Sequence, residues 1–205
     1  MKRAWGFTLV EMLVVLAIMA ILLGLGMPSY RTYMANQKVL STVEVFMAGL
    51  QMARAEAVKL NRRVEFLMTD DAPTPASVDT ATASTTGRNW IVRALVTGGN
   101  AFVEGKSGAE GSGAATSAGS PIAVTGSLAS ITFDGFGTPV GLTTTATFDF
   151  SNTAGTCAPA ATSNCTVAGT GTGTIRCMQL RISRGGQSRT CDPAVLVGDT
   201  RNCCL

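Results

Sequence analysis

The chain has 205 residues, of which 16 are Lys or Arg, 13 are Asp or Glu and none is His, giving a net charge of +3. That length allows one domain with an extended element. Two of the basic residues lie at the extreme N-terminus, so the net charge of the rest of the chain is too small to indicate a class of binding partner. The absence of histidine removes the commonest general base and zinc ligand, and it disfavours most hydrolases and metalloenzymes. We therefore expect no enzyme, no metal site and no cofactor.

The first predicted element is an apolar segment that follows Lys2 and Arg3. Residues 7–27 carry a single charge, Glu11, and a helix of this length is about 31 Å long, close to the hydrocarbon thickness of a bilayer. The basic pair predicts a cytoplasmic N-terminus and a single pass through the inner membrane. A secretory signal peptide and an ordinary membrane anchor are alternatives, but neither explains a carboxylate near the start of the segment.

The run G-F-T-L-V-E from Gly6 to Glu11 resembles the prepilin processing motif of type IV pilins and type II secretion pseudopilins. The resemblance implies a leader of residues 1–6, cleavage after Gly6 by the prepilin peptidase, and N-methylation of Phe7. It also implies that Glu11 pairs with the amino terminus of a neighbouring subunit during assembly, because an unpaired carboxylate is costly in a lipid-like filament core. Pro28 lies where many pilins place a helix-kinking proline.

Residues 28–61 are predicted to continue the helix as an amphipathic element that enters the head. Apolar residues recur there at alternating spacings of four and three, which places them in one stripe along a helix. The stripe consists of Val39, Val43, Phe46, Leu50, Ala53 and Ala57. Because the repeat is too short for a coiled coil, we expect the stripe to pack against the protein's own core.

Residues 62–205 are predicted to form a β-rich periplasmic or extracellular head. Segments rich in β-branched and aromatic residues predict strands at Val64–Met68, Asn89–Val96, Leu128–Phe133, Thr144–Phe150 and Thr174–Ser183. Five or six antiparallel strands packed on the helix give an α+β fold. Residues 70–87 and 97–120 are predicted to be loops. The G-K-S run at 105–107 is not expected to bind phosphate, because Asn100 stands where such a motif needs its first glycine.

Six cysteines lie in the C-terminal tail of the head. Behind an export segment they indicate disulfides rather than a metal site, because thiols there meet an oxidising environment. The sequence leaves open how they pair; they are Cys157, Cys165, Cys177, Cys191, Cys203 and Cys204.

Two further stretches resemble the GspH/FimT/FimU group of minor pilins and pseudopilins. They are residues 54–61, R-A-E-A-V-K-L-N, and residues 131–139, I-T-F-D-G-F-G-T-P. The resemblance implies the pilin fold, a long N-terminal transmembrane and amphipathic helix packed against a small antiparallel β-sheet head. It implies other pilin subunits, the prepilin peptidase and the inner membrane as partners, and a place in a pilus or pseudopilus after assembly.

Three functions are compatible with these features. The first is structural: a minor pilin that assembles into or primes a type IV pilus. The second is DNA binding for natural transformation through Arg181, Arg184 and Arg189, which lie in a locally basic tail. The third is the role of a minor pseudopilin in a type II secretion system. FimT-like pilins carry a Gly-Arg-x-Arg element in the basic tail, whereas residues 186–189 are G-Q-S-R, so the first arginine is missing. A solvated edge strand protected by its charges is the structural alternative for these arginines.

Overall fold

The computed structural model describes residues 8–108, 121–160, 171–196 and 198–203. The chain divides into two compact units, residues 1–34 and residues 35–205. Helix α1, Leu9–Leu60, begins in the first unit and ends in the second, which is the head. Within the described ranges no single helix is both long and apolar enough to span a membrane; Leu9–Gly24 and Ser29–Leu60 meet that criterion only as a pair. The membrane segment at 7–27 stays a prediction.

Helix α1 ends in a Schellman motif at Asn61. The backbone N–H of Arg62 donates to the carbonyl of Ala57 at 3.2 Å, and the N–H of Asn61 donates to the carbonyl of Val58 at 3.3 Å. These bonds satisfy carbonyls that the last turn of a helix leaves open. Asn61 adopts a φ of +47°, a left-handed conformation that asparagine accepts more readily than most residues. The motif turns the chain out of the helix and into the first strand.

In the described ranges of the head, eight strands, numbered β1 to β8 along the chain, form two four-stranded antiparallel sheets. The order of strands is β3-β2-β1-β5 in the first sheet and β4-β6-β7-β8 in the second. The first sheet contains β1 (Val64–Thr69), β2 (Asn89–Ala94), β3 (Ala101–Lys106) and β5 (Ser130–Phe133). The second contains β4 (Ile122–Gly126), β6 (Ala146–Asn152), β7 (Met178–Ile182) and β8 (Ser188–Cys191).

The described part of the head has more strands than the five or six that the sequence predicts. Strand β3 falls in a predicted loop within residues 97–120, and β4 and β8 were not predicted. All three lie at sheet edges. Few residues of β3 and β8 are buried, so these strands lack the alternation that a sequence pattern detects. Strand β4 does alternate, with Ile122 and Val124 buried, but it is only five residues long and ends at Gly126. The residues of β3 are exposed or half-buried, and they pair with β2 alone. The β7 prediction was too long, because residues 174–177 lie outside the regular strand.

The core of the head lies between α1 and both sheets. Every side chain of the predicted apolar stripe is at most 2 % exposed, so the expectation that it packs on the protein's own core is confirmed. The Phe46 ring meets Phe66 of β1 edge-on at 6.0 Å and Phe150 of β6 at 5.1 Å. One aromatic side chain of the helix therefore contacts both sheets.

The helix approaches the first sheet most closely at Gly49. A Cβ atom at that position would lie 2.9 Å from Cε2 of Phe66 and 2.9 Å from Cζ2 of Trp90. The Phe66 and Trp90 rings themselves are in contact, with centroids 5.5 Å apart. The absence of a side chain at Gly49 is what lets these two rings lie against the helix backbone.

Candidate functional site

The N-terminal turn of α1 is capped by Thr8. The backbone N–H of Glu11 donates to the Thr8 hydroxyl at 3.2 Å, and the N–H of Met12 donates to the Thr8 carbonyl at 3.2 Å. Thr8 and Glu11 thus stand in the spacing of a capping box, and a carboxylate in the first turn also interacts favourably with the helix dipole. Glu11 has a local structural role in addition to the assembly role that the resemblance implies.

Helix α1 presents a continuous apolar surface on both sides of Glu11 in the chain. Large apolar side chains there are between 53 % and 77 % exposed. They are Leu9, Val10, Met12, Leu13, Val14, Val15, Leu16, Ile18, Met19, Ile21, Leu22 and Leu23. A surface of this kind is unfavourable in water and indicates that lipid or another protein covers it.

Three predicted sites of the N-terminal segment cannot be placed. Gly6 and Phe7, the residues of the processing site, lie outside the described residues, and so does the side chain of Pro28. Cleavage, methylation and the proline kink stay predictions.

Two disulfide bonds lie in the described part of the tail. Cys157 is bonded to Cys177, and Cys191 is bonded to Cys203. The first pair belongs to the main core of the head, whereas the second forms a small separate cluster with Ala160 packed against it. The structure joins four of the six cysteines that were assigned to disulfides, and Cys165 and Cys204 lie outside the described residues.

Two of the three predicted DNA-binding arginines are neighbours on adjacent strands. Arg181 of β7 is paired directly with Arg189 of β8. The Arg181 guanidinium donates to the carbonyl of Cys203, and Nη2 of Arg189 donates to the carbonyl of Asn202 at 3.2 Å. The C-terminal segment, held by the Cys191–Cys203 bond, thus supplies acceptors to both arginines.

The third, Arg184, lies elsewhere. It occupies the exposed turn between β7 and β8, which is closed by hydrogen bonds between Ser183 and Gln187 and between Gly186 and Ser183. The carbonyl of Gly186 accepts a hydrogen bond of 3.2 Å from Nη1 of Arg54 on α1. The structure therefore separates Arg184 from the Arg181–Arg189 pair and attaches its turn to the end of α1.

Two other arginines of the tail form ion pairs. Nη2 of Arg176 lies 2.5 Å from Oδ2 of Asp192, and Nη2 of Arg201 lies 2.7 Å from Oδ2 of Asp199. Hydrogen bonds from the Arg201 side chain and backbone lower the pKa of Asp199 to about 2. In these two pairs a neighbouring carboxylate balances the positive charge of Arg176 and of Arg201.

The D-G-F-G-T turn at residues 134–138 lies within one of the two stretches that resemble the GspH/FimT/FimU group. The Asp134 carboxylate accepts from the N–H of Phe136 at 2.9 Å, the N–H of Thr138 at 3.0 Å and the Thr138 hydroxyl at 2.7 Å. The bonds from Thr138 are the main reason why the pKa of Asp134 is lowered. The turn holds Phe136 with 87 % of its side chain exposed. An aromatic residue between two glycines of a turn was the available sequence signal.

No group of three or more His, Cys, Asp or Glu side chains is arranged to hold a metal ion among the described residues.

Comparisons with known protein families match two stretches of the chain. A family model described as a prokaryotic N-terminal methylation motif matches residues 1–27, and one described as type II transport protein GspH matches residues 42–190. No curated protein matches the chain.

Two crystal structures of the type IV minor pilin FimU from Pseudomonas aeruginosa strain PAO1 are similar to this chain. One is 17 % identical, with 75 % of this chain and 87 % of that chain covered and a TM-score of 0.47. The other is 18 % identical, with 74 % and 90 % covered and a TM-score of 0.46. Scores and identities this low add no argument about function.

Proposed function

The chain belongs to the GspH family of type II transport proteins, and we propose that it is a minor pilin that assembles into or primes a type IV pilus. It has the α+β pilin fold, whose role in this family is structural. In this proposal the inner membrane holds the unassembled chain by its N-terminal segment, and the head lies in the periplasm. Processing after Gly6 and methylation of Phe7 precede assembly.

One observation carries the proposal. The methylation motif at 1–27 is followed by the exposed apolar surface from Leu9 to Leu23, on a chain whose head already has its own closed core. The head does not need that surface for folding, so the surface is available to lipid before assembly and to the helices of other subunits afterwards. Packing of small and apolar side chains between helices is the chemistry of such an assembly.

Glu11 is the carboxylate within this surface. In an apolar filament core its charge favours a cationic partner, and the methylated amino terminus of a neighbouring subunit has the required charge. Such a pair sets the axial register of the subunits, because only one stagger brings the two charges together.

The proposal is tested with Glu11→Val and Glu11→Gln in the natural host. Both variants are expected to be processed and inserted normally, and to fall about tenfold or more in the sheared filament fraction, because the charge partner is lost. Glu44→Gln, which removes an exposed carboxylate from the same helix in the head, serves as the control and is expected to assemble normally. Normal amounts of both Glu11 variants in filaments would exclude the assembly role.

The minor pseudopilin of a type II secretion system is the second candidate, and the description of the matching family favours it. Deletion of the gene separates the two candidates: loss of surface pili supports the pilus, and loss of exoprotein secretion with normal piliation supports the secretion system.

DNA binding by Arg181, Arg184 and Arg189 stays a prediction. Arg181 is half-buried and Arg189 is exposed, and both donate to carbonyls of the C-terminal segment, whereas Arg184 is exposed in the β7–β8 turn. Titration with duplex DNA at two salt concentrations tests it, because phosphate contacts are lost steeply as salt rises.

A further inference from the structure

Phe136 is the most exposed large apolar side chain among the described residues, at 87 %. Three hydrogen bonds to the Asp134 carboxylate fix its turn, and the N–H of Gly137 donates to the Asp134 carbonyl at 2.9 Å. Gly137 has a φ of +75°, which a residue with a side chain adopts only at a cost. The turn therefore presents an aromatic residue to solvent on a well-ordered backbone.

This turn packs on the C-terminal end of α1. A Cβ atom at Gly137 would lie 3.0 Å from Cγ2 of Val58 and 3.1 Å from Nε of Arg54, and one at Gly135 would lie 2.5 Å from Oδ1 of Asn61. The β7–β8 turn meets it from the other side, since a Cβ atom at Gly186 would lie 2.6 Å from the Gly137 carbonyl. Three separate parts of the chain thus converge beside Phe136.

A groove of about 740 Å³ opens at the same place. Its walls include the apolar side chains of Leu50, Val58, Phe133 and Ile182, with Arg54 and Lys59 among its polar residues. A groove with this lining suits an apolar side chain of a protein better than the charged backbone of a nucleic acid.

The rim of the groove is basic. Arg54 and Lys59 line the groove. Arg62 and Arg63 follow the end of α1 at Leu60, Arg184 lies in the β7–β8 turn close in sequence to Gly186 of the lining, and these three arginines are exposed. The carboxylates facing them are Glu56, which is paired with Lys59 at 2.9 Å, and Asp134, whose pKa is lowered in part by Arg63. The rim keeps a net positive charge.

We propose a docking surface that consists of Phe136, the groove and its basic rim. It binds a segment on the head of a different subunit, and that segment is acidic and carries an apolar side chain. A second copy of this chain docked through the same surface would oppose arginine to arginine, which disfavours self-association. Exposed aromatic residues and arginines are the composition of an interface anchor, and the ordered backbone of the Phe136 turn reduces the entropy lost on binding. The inference rests on the proposed assembly function, which supplies neighbouring subunits.

Photo-crosslinking in cells tests the proposal with the full chain. Phe136 is replaced by p-benzoylphenylalanine in the natural host, and Leu196, an apolar residue that is 76 % exposed, is replaced in the same way as the control. The expected result is an adduct from position 136, and not from position 196, with a pilin-type subunit whose crosslinked segment is net acidic by mass spectrometry.

The charge of the rim is tested in the same strain. Arg62→Glu with Arg184→Glu is expected to reduce the adduct about tenfold, because two negative charges then replace two positive charges beside an acidic partner. Lys38→Glu makes one such charge reversal elsewhere, on α1, and is expected to leave the adduct unchanged. Because Arg62 and Arg184 are exposed, the head should keep its melting temperature in the double variant.

The outcomes separate this inference from the assembly function. A chain that reaches filaments but gives no adduct at position 136, or an adduct that survives the charge reversal, overturns the docking surface and leaves assembly standing. A nuclease-sensitive adduct overturns it in favour of nucleic acid. An adduct with an acidic subunit in a strain whose filaments lack the chain supports docking and counts against assembly. If there is no adduct and the chain is also missing from filaments, both the docking surface and the assembly function are overturned.

Discussion

The Asp199–Arg201 pair shows how a local hydrogen-bond pattern determines the charge of a residue at the surface. Oδ1 of Asp199 accepts from the backbone N–H of Arg201 at 2.9 Å and from its Nε at 3.1 Å, and Oδ2 accepts from Nη2 at 2.7 Å. All three donors favour the ionised carboxylate, so the pKa of Asp199 falls to about 2. The contribution of this pair to stability is present above the ordinary pKa of 3.8 and is lost as the pH falls to about 2.

Arg201→Ala is expected to raise the pKa of Asp199 most of the way back toward 3.8, because two of the three donors are removed. A titration of the carboxyl carbon by NMR measures this change. Arg176→Ala, which alters the other ion pair of the tail, is expected to leave the pKa of Asp199 in place. An Asp199 carboxyl that still titrates near 2 in the Arg201 variant would show that backbone donors alone hold it.

Single residues were also where the sequence was least informative. The composition of the tail placed Arg181 and Arg189 among candidates for phosphate binding, but their acceptors are the carbonyls of Cys203 and Asn202, 22 and 13 positions away. No local pattern encodes such a contact. Phe136 was passed over for the related reason that the exposure of a turn residue depends on what packs beneath the turn.

Among the elements, α1 depends on one glycine where it crosses the first sheet. Gly49→Ala would improve helix propensity by roughly 1 kcal/mol, but the added methyl group would lie 2.9 Å from both the Phe66 and the Trp90 rings. The rings are buried and cannot move freely, so we expect a net destabilisation of about 1–3 kcal/mol.

Thermal unfolding of the purified chain measures this effect. Ala48→Gly, one position away on the same helix, is the matched control and should cost only the roughly 1 kcal/mol of glycine in a helix. A Gly49→Ala variant that is as stable as the wild type, or more stable, would contradict the close approach.

The elements differ in how far a sequence predicts them. The stripe from Val39 to Ala57 is periodic and fully buried, so α1 was predicted nearly to its last residue. The edge strands β3 and β8 were not, because few of their residues are buried and each forms by hairpin pairing with the strand before it, β3 with β2 and β8 with β7. The same pairing brings the β7–β8 turn to Arg54, which no sequence pattern predicts.

In the head as a whole, the two disulfides are expected to have unequal effects. Cys157–Cys177 closes 20 positions and lies in the main core, whereas Cys191–Cys203 closes 12 and lies in a separate cluster. Replacing Cys157 and Cys177 together by Ser is expected to lower the free energy of unfolding by about 2–4 kcal/mol. Replacing Cys191 and Cys203 should chiefly free the tail, with a smaller change in the global value.

Calorimetry of the two double variants, together with hydrogen exchange, distinguishes these effects. Loss of the Cys191–Cys203 bond is expected to increase hydrogen exchange in residues 192–203 and to leave hydrogen exchange in β1 and β6 unchanged. An equal drop in melting temperature in both variants would mean that the tail folds as one unit with the core.

The Cys157–Cys177 bond also determines what the head tolerates. Cys157 forms a β-bridge with Ile175, so both ends of the intervening segment are fastened together close to the core. A protease cut at any point between Cys157 and Cys177 would therefore leave the two pieces of the chain covalently joined, and they would separate on a gel only after reduction.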